Sequence, residues 1–576
     1  MKKPPAYTRR AIVKGMTVGS LLPLLGANLV GCSDNSSNAV SQVDSVPASF
    51  GHGVASGDPL EDRVILWTRV TPERAGKVLV DWEIATDAGF ANVVNSGSGV
   101  TDAAVDYTLK VDAEGLDPGT TYYYRFTSGD NTSPLGRTRT LPVGALASAS
   151  FAVVSCSNYP AGYFHVYREV AGQELDAVLH LGDYIYEYAS DGYASDQAQA
   201  LGRTSVPATE LLALDDYRAR YGQYRGDPDL QDCHAAHPFI VVWDDHEVAN
   251  DAWREGAENH DPATEGSFSE RRAAAIQAWY EWLPVRPPAS ELEIIYRSFR
   301  YGDLIDLLML DTRSIGRDRQ VDYAEFVNGE AIDTATANAA VNDSTRTLLG
   351  EEQLAWLKDG LTNSTTRWQV LGQQVLMGRQ PLPEPIVRAL SPGLAGDDAL
   401  AQATAAVLAA VTAKNKPPQE RTPEEQALLD SAIPLNPDAW DGYGFERDQL
   451  LEHAAQLQSR LVVLAGDTHN GWASQLTTAG GAPVGVEFAC PSVTSPGAEG
   501  TIGVSAAGLF APFAVTLMDD LRYANLLDRG YVLLRFDTDQ VSSEWRYVTA
   551  IDMPDYALNE EAARRLVVSR DDLLLG

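Results

Sequence analysis

The sequence predicts a large layered α/β domain preceded by a smaller all-β one. Three observations carry this. From about residue 149 onward, dense apolar runs that stop at polar residues alternate with helical patterns. Between 50 and 145 only short alternating or aromatic and β-branched runs occur. The 576 residues are 44% hydrophobic with 11 Trp, 24 Tyr and 14 Phe, which supports a large core and more than one domain and argues against disorder.

Residues 1–32 stand apart as an export signal rather than a fold element. Lys2, Lys3, Arg9, Arg10 and Lys14 form a basic head, followed by a mildly apolar run from Ala11 to Val30. Thr8-Arg9-Arg10-Ala11-Ile12-Val13-Lys14 resembles a twin-arginine signal, and Leu29-Val30-Gly31-Cys32 a lipoprotein cleavage box that would leave Cys32 lipidated; a plain cleaved signal is the competing reading. Gly, Ser and Asn interrupt the run, which disfavours a membrane-spanning helix. The polar stretch 33–49 suits a tether. The expected localisation is periplasmic or cell-surface with a lipid anchor. Export through the twin-arginine machinery would let the chain fold around a metal before crossing the membrane.

The formal charge is −35, and about −40 once the five basic residues of the head are removed. Such a field argues against a stable nucleic-acid complex. It also disfavours a phosphate ester unless metal ions reverse the potential locally. Of the 4 cysteines, Cys156, Cys233 and Cys490 lie in the body; an odd, scattered set is not a disulfide framework, although one pair is possible.

The small domain, 50–145, contains VILWTRV (64–70), KVLVDWEIA (77–85), YTLKVDAEG (107–115) and TTYYYRFTSG (120–129), with turn clusters such as LDPGT between them. This reads as a β-sandwich of the immunoglobulin or fibronectin kind. The large domain, 146–555, contains apolar runs at 149–157, 176–189, 238–251, 305–314, 367–377 and 459–472. Helices are expected over 269–283, 350–362 and 449–459, with Ser269 or Thr347 able to cap. A late hairpin, 530–551, is expected at a sheet edge. Residues 190–235 read as helices and loops near a site, 380–447 as a Pro- and Ala-rich insertion, and 556–576 as a tail.

The chemistry collects where the apolar runs end. Cys156 follows the first, Gly182-Asp183-Tyr184-Ile185-Tyr186 the second, Asp244-Asp245-His246-Glu247 with Asn250 and Asp251 the third, and Gly466-Asp467-Thr468-His469-Asn470 the last. In α/β sheets such strand ends face one crevice. Carboxylates crowded there repel one another unless cations sit between them. Thiolate, phenolate and carboxylate donors (Cys156, Tyr186, Asp183) suit Fe³⁺. Oxygen donors around Asn250 and Asp467 suit Ca²⁺ or Mg²⁺. Two such ions, with Asp183 bridging, would clamp a phosphoryl group and supply a hydroxide.

The runs SCSNY, GDYIYEY, WDDHEVAND and GDTHNGW, in that order, resemble the PhoD-type alkaline phosphatase/phosphodiesterases, a branch of the calcineurin-like metallophosphoesterases related to purple acid phosphatases. FxHGVASGDP (50–59), WTRV (67–70) and EFACPSVTSPG (487–497) extend the resemblance over roughly 45–555. It implies a double β-sheet sandwich flanked by helices, an Fe³⁺ site with one or two Ca²⁺ beside it, and hydrolysis of phosphomonoesters and phosphodiesters outside the cytoplasmic membrane. On this resemblance Cys156, Asp183, Tyr186 and His469 would hold iron, and Asn250 and Asp467 calcium. Asp467 departs from the family's commoner GHxH, which favours Ca²⁺ over Zn²⁺ or Mn²⁺.

His246 is the expected proton donor to the leaving group, or a stabiliser of the phosphoryl oxygens. Asp245 either touches metal or orients His246, and the same two options hold for Asp244. Arg225, His165 and Asn158 are candidates for substrate contact; Arg218 and Arg220 are weighed with Arg225, against plain pairing with acids. Asn158, Asn470 and Trp472 are candidates for support behind the ligands, while His180, Tyr184 and Tyr188 read as packing. The partner is a small or polymeric phosphate ester, with oligomeric state open. Three rivals remain: another metal pair, a phosphodiesterase with little monoesterase activity, and a surface binding module with structural metal only.

Overall fold

The computed structural model describes residues 44–289, 291–391, 393–394 and 398–575. The signal, Cys32 and most of the 33–49 tether lie outside the described residues. Among those described, no helix is long and apolar enough to cross a membrane.

Two mixed sheets face each other. The first has nine strands, in the order Arg564–Ser569, Gln540–Val548, Arg529–Asp537, Ser148–Val154, Ala177–His180, Pro238–Val241, Val54–Gly57, Arg63–Arg69 and Thr108–Glu114. The second has seven: Arg297–Tyr301, Ile305–Met309, Trp368–Gly372, Leu461–Ala465, Pro483–Ala489, Gly471–Thr477 and Leu521–Asn525. Phe151, Val153 and Leu179 of the first share one buried cluster with Leu307, Val370, Val462 and Phe488 of the second. The central strands are buried along their whole length, as in Ala177–His180 and Leu461–Ala465, which is why they read as unbroken apolar runs. Ser148–Val154, Ala177–His180 and Pro238–Val241 run parallel in register, so their C-terminal ends open on the same side.

The N-terminal β-sandwich is present, and one of its layers is shared with the large domain. Its own sheet consists of Gly136–Arg139, Thr121–Ser128, Val78–Ala85 and Val93–Thr101, with Asn131–Thr132 beside it. Thr121–Ser128 alternates half-buried and buried positions, as a strand packed on one face must. The small sheet packs through Val80, Trp82, Tyr124 and Phe126 on Val64, Leu66 and Val111 of the nine-stranded sheet. Val54–Gly57 pairs in parallel with Pro238–Val241, so the sheet crosses the expected boundary at 146 without a break.

Other expectations are corrected. The hairpin 530–551 is internal: Arg529–Asp537 pairs with Ser148–Val154, and Gln540–Val548 with Arg564–Ser569. The stretch 556–576 is therefore no loose tail, because it supplies the edge strand and buries Leu566, Val568, Leu573 and Leu575. The expected helices form at Phe268–Trp282, Gly350–Asn363 and Gly444–Leu457. Thr347 accepts the Gly350 N–H at 2.8 Å, whereas Ser269 lies inside its helix and Ser267 holds the cap position. Within 380–447 the chain folds into helices Glu384–Leu390, Ala399–Lys414 and Pro423–Asp430 and a short ribbon, Pro381–Pro383 with Ala432–Pro434.

Candidate metal centre

The loops after the parallel strands bring the predicted residues together. Ligand atoms of Cys156, Asp183 and His469 lie within 4.8 Å of one another; so do those of Asp183, Asp245 and His246, and those of Asp244, Asp245 and Asp467. Asp183 belongs to the first two groups and Asp245 to the last two, so the three form one continuous cluster. The Tyr186 hydroxyl donates to Asp183 Oδ2 at 3.0 Å, lies 3.1 Å from His469 Nε2, and accepts from Ser495 Oγ at 2.6 Å. His469 Nδ1 donates to the Pro496 carbonyl at 2.7 Å, which leaves Nε2 with its lone pair toward Tyr186 and Asp183.

The backbone is bent into unusual conformations at these positions. Cys156 (φ 62°), Asp183 (φ 54°), Asp467 (φ 62°) and His469 (φ 60°) all occupy the left-handed region. Each costs about 1–3 kcal/mol and persists only where surrounding contacts fix it. Here Glu247 supplies many of them: its carboxylate accepts the N–H groups of Asp183, Tyr184 and Asp244 at 2.7–2.9 Å. Cys156 N–H donates to the Gly182 carbonyl at 3.1 Å, locking the first loop to the second. Gly182 is required at φ 106°, because a Cβ there would lie 2.6 Å from the Asp244 nitrogen.

Asp183 Oδ1 and Asp244 Oδ2 are buried without a hydrogen-bond partner among the described residues. Burial and the neighbouring Asp183 carboxylate push the Cys156 thiol well above its ordinary range. Burial, with carboxylates on several sides, does the same to Asp244 and Asp467, although Arg313 opposes it. Orphaned oxygens and acids held against their charge are what a cation would relieve, so the donor set fits metal ions.

His246 Nδ1 donates to Glu187 Oε2 at 2.8 Å, and its ring packs on Tyr186 with centroids 4.3 Å apart. Burial opposes its protonation, but Asp245, Glu187 and Asp183 raise its pKa well above the ordinary value. The partner that orients it is thus Glu187, not Asp244 or Asp245. Glu187 also accepts the Asn250 N–H at 2.7 Å and the Asn259 amide at 2.8 Å.

Several site assignments change. Asn250 donates from its side-chain nitrogen to Glu258 at 3.2 Å, which leaves its Oδ1 as the donor expected on the calcium side, and Asp244 and Asp245 gather beside Asp467. Arg225 is enclosed: it reaches the carbonyls of His52 and Val54 and stacks over Trp67, so it has no free face for substrate. His165 is 1% exposed, bonded to the Met553 carbonyl at 2.8 Å and stacked on Tyr556, where it pins the C-terminal segment. Asn158 remains a candidate, since both atoms of its buried amide lack a partner among the described residues. Arg218 pairs with Glu281 at 2.7 Å, and Arg220 binds the carbonyls of Tyr186, Tyr188, Val206 and Pro207. Trp472 and Asn470 brace the 466–470 loop through Thr468 Oγ1 and Ala498 N. Cys156, Cys233 and Cys490 are free and buried.

Arg313 is the largest feature the sequence reading missed. It follows Ile305–Met309, in the same strand-end position as the other site residues. Its guanidinium reaches Asp244, Asp467 at 2.9 Å and Asp438 at 2.9 Å, with Asp245 at 3.7 Å. Asp438 comes from the 380–447 insertion and is also paired with Arg317. Arg313 and Arg317 together do not match the carboxylates gathered there, so burial and the neighbouring carboxylates push Asp244 and Asp467 above their ordinary pKa despite Arg313.

A family model described as PhoD-like phosphatase matches residues 151–545, and one described as PhoD-like phosphatase, N-terminal domain, matches residues 35–142. The chain is 33% identical over 579 residues to alkaline phosphatase D of Bacillus subtilis (strain 168), covering 97% of this chain and 87% of that protein. A solved structure titled Structure of PhoD superposes with a TM-score of 0.74 at 32% identity, covering 92% of each chain.

Proposed function

The chain belongs to the PhoD-like phosphatase family and is a phosphoric ester hydrolase; from that premise we propose that it hydrolyses phosphate esters outside the cytoplasm with an iron–calcium centre. The observation that carries this reading is the continuity of the cluster: Asp183 and Asp245 are each shared between neighbouring donor groups, as bridged ions require. Cys156, Asp183, Tyr186 and His469 would hold Fe³⁺, and Asp183, Asn250 and Asp467, with Asp244 and Asp245 beside them, would hold Ca²⁺. Once bound, the ions would neutralise the phosphoryl oxygens and activate water for in-line attack.

The chain's own residues supply the rest. With Nδ1 committed to Glu187, His246 Nε2 is the nitrogen that gives a proton to the departing alkoxide. Asp245, in contact with both donor groups, keeps that imidazole charged. Arg313 holds Asp244, Asp438 and Asp467 in place and limits their mutual repulsion. Asn158 is the assigned neutral contact to substrate. The twin-arginine-like signal, the Cys32 lipid-anchor motif and the polar tether, all read from the sequence, support a location on the outer side of the membrane.

Fully metallated protein is expected to hydrolyse both p-nitrophenyl phosphate and bis(p-nitrophenyl) phosphate. Hydrolysis of neither would overturn the reading. Hydrolysis of the diester alone would narrow it to a phosphodiesterase.

A further inference from the structure

Beside the metal centre lies a cavity of about 620 Å³, within the range of small-molecule sites. Asn250, Asp251 and Asp438 form the side it shares with the centre: the Asp251 N–H donates to Asp245 Oδ2 at 2.6 Å, and Asp438 accepts from Arg313. Gln320 braces that side by donating to the Asp251 carbonyl and to Asp438 at 2.8 and 2.7 Å. Part of the remaining lining is apolar. Val387, Leu390, Leu394 and Leu435 of the insertion line it together with Trp253, Val321 and Tyr323. The charged groups there are mostly acidic, with Glu258 and Asp322 exposed at the edge and Arg319 lying over the Trp253 ring.

We propose that this cavity receives the alcohol portion of the substrate, and that it selects phosphate esters of alcohols with an uncharged, apolar body. The proposal rests on the phosphate-ester reading above. A phosphoryl group held at the metal cluster has its leaving oxygen directed out of that cluster, and the cavity adjoins it across Asp245 and Asp438. The aliphatic lining gains from burying methylene groups, each worth about 0.8 kcal/mol when fully buried. The acidic edge repels a leaving group that carries a second anion, such as another phosphate or a carboxylate. The insertion, which reaches the cluster through the Asp438–Arg313 pair, thereby acquires a role in specificity.

The test compares ethyl, n-hexyl and 5-carboxypentyl phosphate with the metallated full chain. The ethyl and hexyl leaving alcohols differ little in acidity, so the comparison isolates binding. The hexyl ester is expected to have a kcat/KM at least about tenfold above the ethyl ester, in line with apolar-pocket discrimination. The carboxypentyl ester should lose that advantage. Leu390→Ser and, separately, Leu435→Ser should bring the hexyl-to-ethyl ratio toward one, with folding followed by circular dichroism. Equal rates for hexyl and ethyl in the wild type would overturn the proposal, and so would a ratio unmoved in both folded variants. Turnover of none of these esters, together with none of the aryl phosphates, would instead count against the hydrolase reading itself.

Discussion

At the scale of single residues, Cys156 sets the character of the centre. Alone it is a buried thiol donating to Ser155 at 3.1 Å, with Cys490 on the same hydroxyl at 3.3 Å. Burial and Asp183 hold it protonated, so only a strongly bound cation makes it a thiolate. Cys156→Ser is therefore expected to lose iron and to lower kcat by roughly a hundredfold or more, read by metal content and aryl phosphate hydrolysis. His246→Asn removes the proton donor and should cost on the order of 10²–10⁴ in kcat. Glu187→Gln tests the orientation of that donor. Glu187 is one of the carboxylates raising the His246 pKa, so removing its charge lowers that pKa. Activity that needs protonated His246 is lost as pH rises through its pKa, so the alkaline limb of the rate profile should move to lower pH. Retention of the wild-type limb would remove His246 as the acid.

At the scale of elements, much was legible because strand ends are written in the sequence. The runs ending at Val154, at Leu181 and at Val242-Trp243 stop where the backbone turns into the crevice, and their polar successors meet there. Glu187, Arg313 and Asp438 were not legible in the same way. Their partners lie 59 positions away for Glu187 and His246, and 125 for Arg313 and Asp438, and no local pattern signals such pairing. Arg313 could have been found by applying the strand-end rule to Ile305–Met309 as well. Arg225 and His165 misled for the opposite reason: charge and proximity in sequence suggested a phosphate contact, while burial against Trp67 and Tyr556 uses both side chains structurally. Gly182→Ala tests the turn that joins two of the loops. With φ at 106° and Asp244 in the way, it should destabilise the protein by about 2–4 kcal/mol, seen as a lower Tm. Truncation after Asp555 tests the reassigned C-terminus. Removing Arg564–Ser569 exposes the edge of Gln540–Val548, so the shortened chain should melt at lower temperature and aggregate more readily.

At the scale of the whole molecule, the two facing sheets were expected, and the shared sheet was not. The alternation in 50–145 announces a sandwich, but a parallel partner almost two hundred residues away leaves no mark on Val54–Gly57. The continuity makes the N-terminal layer part of the frame that aligns the strand ends. The same scale holds the account's electrostatic claim. A chain of formal charge −35 attracts a phosphate ester only if cations occupy its acidic crevice. Elemental analysis of natively purified protein, wild type beside Cys156→Ser, tests this most directly. The wild type is expected to carry about one iron per chain together with calcium, and the variant to lose iron while keeping calcium. Zinc or manganese in place of iron, or an iron content unchanged by the substitution, would contradict this expectation.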